Sequence, residues 1–492
     1  MDKNINILIK KYSDNESALN KLVVSAFVQA QNLTITDGYL ASFIDNEPND
    51  LDEDIEFLSQ RCSIEDIIHI FELAIPQSER TTNGAVYTPK YIRDYIVKQI
   101  LHSTKQPLAE CLCADISCGC GAFLYTLMEE IHQRTLLSYK IIIQHLYGLD
   151  ISAVSIGRAK ILLALGALQH RETIEENDFH LLCGDATTYD FKAIPTVATN
   201  DGFDIIVGNP PYVRSKNINT EAKKNLSLWE TSKVGNADLY IPFFEIGMTL
   251  LNANGLLGYI TVNTFFKSVN ARSLRNYFSK NQFSLSIIDF GEQLVFKKKL
   301  AYTCLTFLSK SPASSLLYAR AELNDVIEQK NFVYSKINYD SLDNHKGWNL
   351  NRTDVLRNIQ LIENAGESLG KKYTIKNGIA TLANDIFIFR PTHEDKSFCY
   401  LQKDGTEYRI EKGICRNIIK PNILKTESEI PVKEEKIISP YDIDNNLITE
   451  DYFIQQYPNA YLYLSAYRHV LDARDKGEGD YGAWYAFGRT QA

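Results

Sequence analysis

The 492-residue chain has no apolar run long enough to cross a bilayer, and its opening segment lacks the charged-then-apolar-then-small order of a secretory leader. A cytoplasmic protein without a membrane partner is expected. There is no excess of basic residues: 52 Lys and Arg stand against 61 Asp and Glu, a net charge of -9. That balance excludes indiscriminate coating of nucleic acid, though not a local basic face on a DNA enzyme. No histidine stands beside Cys111, Cys113, Cys118 and Cys120 to complete a familiar zinc set, so no metal is expected. Nine cysteines, an odd number in a chain without a leader, favour reduced structural thiols. Internal repeats and low-complexity tracts are missing, and residues 1–80 carry no paired acidic-and-lysine nuclease signature. What is there is 45% hydrophobic and 23% charged, enough for a globular chain of two or three domains.

Charge is segregated along the chain. Asp45 to Glu56 is acidic, while Lys223, Lys224, Lys267, Arg272, Arg275, Lys297, Lys298, Lys299, Lys371 and Lys372 supply the opposite sign. Singly, such runs are more often solvated surface than binding sites. Residues 1–80 read as a helical region, with Leu19, Leu22, Val23, Ala26 and Phe27 at helical spacing and Ile64, Ile67, Ile68 and Phe71 likewise. Nothing in that region announces chemistry. Residues 81–310 alternate short apolar runs with helical stretches. Cys111 to Asp115, His145 to Leu149, Asp204 to Val207, Gly258 to Val262, Ser286 to Phe290 and Thr303 to Leu308 are expected strands. Ala122 to Arg134 and Ser155 to Leu168 are expected helices. The alternation predicts an open, mostly parallel α/β sheet, whose ligands bind at the carboxyl ends of strands. Residues 311–365 read as a connector. Residues 366–492 carry short strand-like runs such as Asp385 to Phe389 and Lys436 to Ile438, and the closing aromatic stretch does not resemble a fraying tail.

Three strand ends carry acids. Ala114-Asp115-Ile116-Ser117-Cys118-Gly119-Cys120-Gly121-Ala122-Phe123 is an apolar strand that ends in an acid, turns through two glycines and enters a helix. Glycine permits the tight turn and a close ligand approach, and the acid can hold an ammonium or a hydroxyl. A third glycine at dinucleotide spacing is absent, which weakens a nicotinamide reading. Tyr147-Gly148-Leu149-Asp150-Ile151 and Cys183-Gly184-Asp185-Ala186 end two more strands, suited to ribose hydroxyls and to an adenine. Alone, each acid reads equally as a helix cap; three in order on one sheet edge point to a nucleoside site.

The decisive run is Phe203-Asp204-Ile205-Ile206-Val207-Gly208-Asn209-Pro210-Pro211-Tyr212. A buried strand meets two prolines, which fix the turn. The Asn209 side-chain oxygen and the Pro210 carbonyl can both accept from one planar amino group, freeing its nitrogen to attack a methyl sulfonium. Tyr212 offers a stacking face. A bare Asn-Pro is ordinarily just a turn; this tetrapeptide at a strand end is not.

On these residues the chain resembles the gamma-class DNA adenine methyltransferases, the TaqI-like type II modification enzymes in particular. Gly84-Ala85-Val86-Tyr87-Thr88-Pro89 looks like their motif X, Asp115 to Phe123 like motif I, Asp150 like motif II, Asp185 like motif III and Asn209 to Tyr212 like catalytic motif IV. Phe296 resembles the motif VIII aromatic against the second face of a flipped adenine. Gly378 to Phe387 resembles the opening of the recognition domain, with Leu382 where the family often has glycine, and Trp484 to Gln491 a further part of it. The resemblance implies a Rossmann-like class I methyltransferase sheet with an N-terminal helical region (1–80), a catalytic domain (81–310), a connector (311–365) and a C-terminal mixed α+β target-recognition domain (366–492), short or incomplete. Implied too are S-adenosylmethionine as cofactor and double-stranded DNA as substrate. The expected cofactor-binding residues are Tyr87, Thr88, Asp115, Ser117, Gly119, Gly121, Phe123, Asp150, Ile151, Asp185, Ala186 and Asn209. Asn209, Pro210, Pro211, Tyr212 and Phe296 are the expected catalytic set. A monomer is expected, and any restriction endonuclease partner would be a separate polypeptide. Two alternatives stay open: a protein glutamine or RNA methyltransferase, since glutamine-modifying enzymes share Asn-Pro-Pro-Tyr, and a non-catalytic DNA-binding subunit that retains the fold.

Overall fold

The computed structural model describes residues 2–13, 15–44, 52–60, 62–76, 84, 86–233, 235–296, 301–374, 378–477 and 479–489. The acidic residues 45–51, Ala85, the run Lys297, Lys298, Lys299, and the terminal Thr490, Gln491 and Ala492 lie outside the described residues. The chain forms two compact units, Met1–Ile362 and Glu363–Ala492.

The first unit is built on nine strands: β1 (Cys113–Asp115), β2 (Leu146–Asp150), β3 (His180–Cys183), β4 (Phe203–Gly208), β5 (Leu251–Val262), β6 (Phe283–Asp289), β7 (Thr303–Pro312), β8 (Ser315–Arg320) and β9 (Ser335–Asn338). Their order across the sheet is β3-β2-β1-β4-β5-β7-β6-β8-β9. From β3 to β5 every pairing is parallel, while β7 runs antiparallel to both of its neighbours. Strand side chains alternate between faces, and here both faces are buried. Cys113, Ile205, Val207, Ile260 and Leu305 enter one core; Ala114, Ile206, Tyr259 and Cys304 enter the other. Helices Ile64–Leu73, Lys90–Ser103, Ala122–Thr135 and Ala153–Gln169 cover the first face, Tyr240–Leu250 and Arg272–Asn281 the second.

The N-terminal helices are part of this unit. Helix Ile64–Leu73 starts in a reciprocal cap between Ser63 and Asp66 and buries Ile67, Ile68, Ile70 and Phe71. Arg158 donates to the Phe71 carbonyl at 3.3 Å, and the buried Arg93 pairs with Glu65 at 2.6 Å. Two sequence expectations need correction. The segment read as a connector supplies β8, paired with both β6 and β9, and the edge strand β9; both are short and carry exposed positions, which hides them among loops. Asp385 to Phe389 is mostly a helical turn, Asn384–Phe387, begun by the Thr381 hydroxyl, before the two-residue strand β10 (Ile388–Phe389).

The second unit holds two three-stranded antiparallel sheets around Phe387, Ile410, Ile437, Phe453, Tyr463 and Tyr485. The buried Arg474 guanidinium donates to the carbonyls of Thr381, Trp484 and Ala486, tying the last aromatic stretch into the core. Among the described residues no helix is long and apolar enough to cross a membrane.

Candidate active site

The carboxyl ends of β1, β2, β3 and β4 open into one cleft of about 210 Å³. Pairing of β1 with β4 (Cys113 with Ile205, Ala114 with Ile206) places the glycine turn beside the Asn-Pro-Pro-Tyr corner. Gly208 makes this approach feasible, because a Cβ there would stand 2.7 Å from Asp115 Oδ1.

Asp115 is buried, and its Oδ1 accepts the Ser117 N–H at 3.0 Å. Burial pushes its carboxyl up to about 8; the Ser117 N–H opposes that and the Asp150 charge adds to it. Asp150 accepts from Gly119 N–H at 3.0 Å and Ser152 N–H at 2.9 Å, and burial raises its carboxyl against those two donors. Gly119 sits at φ +51, a conformation that aims its N–H at Asp150. Asp185 accepts from the Thr187 N–H and hydroxyl, and from Asn225 at 3.3 Å.

Asn209 is held by its nitrogen. Nδ2 donates to the Val86 carbonyl at 3.1 Å and to Thr88 Oγ1 at 3.0 Å, while the buried Oδ1 has no hydrogen-bond partner among the described residues. A buried acceptor without a donor is costly to maintain. The two bonds at nitrogen fix which way the amide faces. Gly84, at φ +68, accepts from the Tyr212 N–H, and any Cβ there would lie 2.7 Å from that nitrogen. Tyr212 is half-buried and donates its hydroxyl to the Ile260 carbonyl at 3.0 Å.

Of the expected residues, Thr88, Asp115, Ser117, Gly119, Phe123, Asp150, Ile151, Asp185, Ala186, Asn209 and Pro211 line the cleft. Tyr87, Gly121, Pro210, Tyr212 and Phe296 do not. Tyr87 lies edge-on to His69 at 5.7 Å. Gly121, at φ +88, allows close packing on Ala159, 2.9 Å from where its Cβ would be. Phe296 is buried beside Tyr212, ring centres 6.1 Å apart and tilted by 56°, so the two rings leave no parallel gap between them in this form. Arg275, one of the basic residues read as solvated surface, is instead buried and donates to the carbonyls of Phe265, Ser268 and Asn344.

Sequence reasoning missed part of the wall. Glu72 and Ile75 come from the helical region that announced no chemistry, and Asn217, Ile218, Asn219, Leu239 and Phe243 come from the segment after the corner. No local motif marks them; only the packing brings them in. Cys111, Cys113, Cys118 and Cys120 are buried free thiols, with burial pushing Cys111 up to about 12. Among the described residues no cluster of three or more His, Cys, Asp or Glu is arranged to hold a metal.

The sheet order and the acid-tipped cleft define a Rossmann-like α/β fold of the class I methyltransferase type. Solved structures agree on the fold: the type IIG restriction endonuclease BpuSI (TM-score 0.55, 13% identity, 97% of this chain and 61% of that one) and the type IIL restriction-modification enzyme MmeI in complex with DNA (TM-score 0.53, 14% identity, 92% and 66%). By sequence the chain is similar to the Eco57I restriction-modification methylases, whose family model matches residues 144–296. It is 28% identical to the Type II restriction enzyme and methyltransferase RM.Eco57I of Escherichia coli, over 89% of this chain and 50% of that enzyme. It is 24% identical to the Type II methyltransferase M.BstVI of Geobacillus stearothermophilus, over 84% of this chain and 75% of the relative. The chain thus spans half the length of RM.Eco57I.

Proposed function

We propose that this chain is a gamma-class DNA adenine methyltransferase of a restriction-modification system, acting on the exocyclic amino group of an adenine rotated out of double-stranded DNA. The observation that carries the reading is the Asn209 carboxamide, tethered by its nitrogen, with a buried acceptor oxygen on the wall of an acid-rich cleft. The similarity to Type II methyltransferases supports it.

The cleft residues fit S-adenosylmethionine. Asp150 and Ile151 would hold the ribose, Asp185 and Ala186 the adenine, and Asp115, Ser117, Gly119 and Thr88 the methionine end; Ser117 Oγ is itself buried with no hydrogen-bond partner among the described residues. When bound, that cofactor supplies a methyl carbon already activated on sulfur. The chain's own share is positioning. Thr88 and the Val86 carbonyl prevent the Asn209 amide from flipping, so Oδ1 and the Pro210 carbonyl accept from the two N–H groups of one amine. The remaining nitrogen lone pair is then directed out of the ring plane, toward the cleft. Rotating a base out of the duplex costs a few kcal/mol. Stacking on Tyr212, whose hydroxyl is anchored to strand β5, would offset about 1–3 kcal/mol of that. Phe296 would form the second face after the rings separate.

Asn209→Ala tests the role. Methylation of duplex DNA should fall by roughly a thousandfold, while S-adenosylmethionine affinity measured by calorimetry stays within a few-fold. Retained turnover with lost cofactor affinity would contradict it.

A further inference from the structure

The helix Ile64–Leu73 presents Glu72 in its last turn to the cleft. A carboxylate there opposes the negative end of the helix dipole, so it is not placed for the helix's benefit. Glu72 Oε1 comes within 3.6 Å of the point where a Cβ on Gly119 would be, so it lies over the bare backbone of the glycine turn. Gly119 is four residues from Asp115 and two from Ser117, the groups at the methionine end. The helix is fastened on both sides, by Arg158 to the Phe71 carbonyl and by Arg93 to Glu65. Its position is therefore set by the same core that sets the cleft. Among the described residues lining the cleft, Glu72, Asp115, Asp150 and Asp185 are acidic and none is Lys, Arg or His. Such a wall selects a cation.

We propose that Glu72 is a cofactor-binding residue that accepts a hydrogen bond from the α-ammonium of the methionine end, together with Asp115. An ammonium has three donors and can satisfy two carboxylates at once. The N-terminal helical region then completes the site, and residues 62–76 are needed for cofactor affinity as well as for the core. The inference rests on reading the cleft as an S-adenosylmethionine site.

The test uses calorimetry on the full chain with three ligands: S-adenosylmethionine, S-adenosylhomocysteine and 5′-methylthioadenosine, which lacks the amino-acid tail. Glu72→Gln, which keeps the shape of the side chain, should weaken the two tailed ligands about tenfold, or about 1.4 kcal/mol. The tailless nucleoside should bind both proteins equally, which also shows that the variant is folded. Glu72→Asp should fall between the two. Unchanged affinity for the tailed ligands would overturn the proposal, as would an equal loss for the tailless one, the mark of a purely structural role. If the wild-type chain binds none of the three, the cofactor reading itself fails and this inference with it.

Discussion

Two buried aspartates end strands of the same sheet and lead different lives. Asp289 closes β6 in the half where β7 runs antiparallel. Its Oδ1 takes the Gly291 N–H and Asn263, and its Oδ2 takes the Tyr318 hydroxyl and Arg320. Asp115 closes β1 in the all-parallel half, where among the described residues its carboxylate accepts only the Ser117 N–H and burial pushes it up to about 8. The first is neutralised by its own fold; the second keeps acceptor capacity for something else. Parallel strands deliver successive carboxyl ends to one edge, so the acids of β1, β2 and β3 and the corner after β4 converge there. β6 runs the same way and brings Asp289 to that edge too, but β5 and β7 stand between it and β4, and there its acid is consumed internally.

The contrast can be broken most severely at Asp289. Asp289→Ala leaves Asn263, the Gly291 N–H and the Tyr318 hydroxyl without their buried acceptor, while the half-exposed Arg320 returns to water, and should destabilise the protein by roughly 2–4 kcal/mol, read by urea unfolding. A loss under 1 kcal/mol would mean that the network is ornamental.

Asp115→Asn sharpens it from the other side. The folded carboxyl is raised from its unfolded value near 3.9 to about 8, so the folded state retains a proton that the unfolded chain gives up. Its contribution to stability is therefore full below about pH 4 and is lost as pH rises through 8. Between pH 5 and 7 the wild type should lose roughly 2–3 kcal/mol relative to Asp115→Asn, seen as diverging Tm curves. Parallel curves would show that Asp115 is an ordinary ionised acid.

The smallest effect concerns the second unit. Leu382 holds φ +57 with its side chain against Gly488. Leu382→Gly should stabilise the chain by about 1 kcal/mol by removing the left-handed strain. A destabilisation of similar size would show that the leucine's packing outweighs that strain.

What the sequence disclosed follows the reach of each signal. The corner at Asn209 was legible because proline and strand burial are local constraints on neighbouring residues. The acid-tipped ends of β1 to β3 were legible because strand, glycine and helix follow one another within ten residues. Glu72 was not, since an amphipathic helix reveals which face is buried and nothing of what it packs against. β8 and β9 escaped because short strands with exposed positions look like loops. Tyr212 and Phe296 were identified as residue types, but their ring geometry depends on segments far apart in sequence.

The central claim is that the Asn209 corner grips the amine of an extruded adenine. Duplex DNA incubated with the protein and S-adenosylmethionine, digested to nucleosides and resolved by mass spectrometry, should yield N6-methyldeoxyadenosine with the wild type and roughly a thousandfold less with Asn209→Ala. Methylcytosine in either form, or unmodified DNA alongside a methylated glutamine in a protein acceptor, would contradict it.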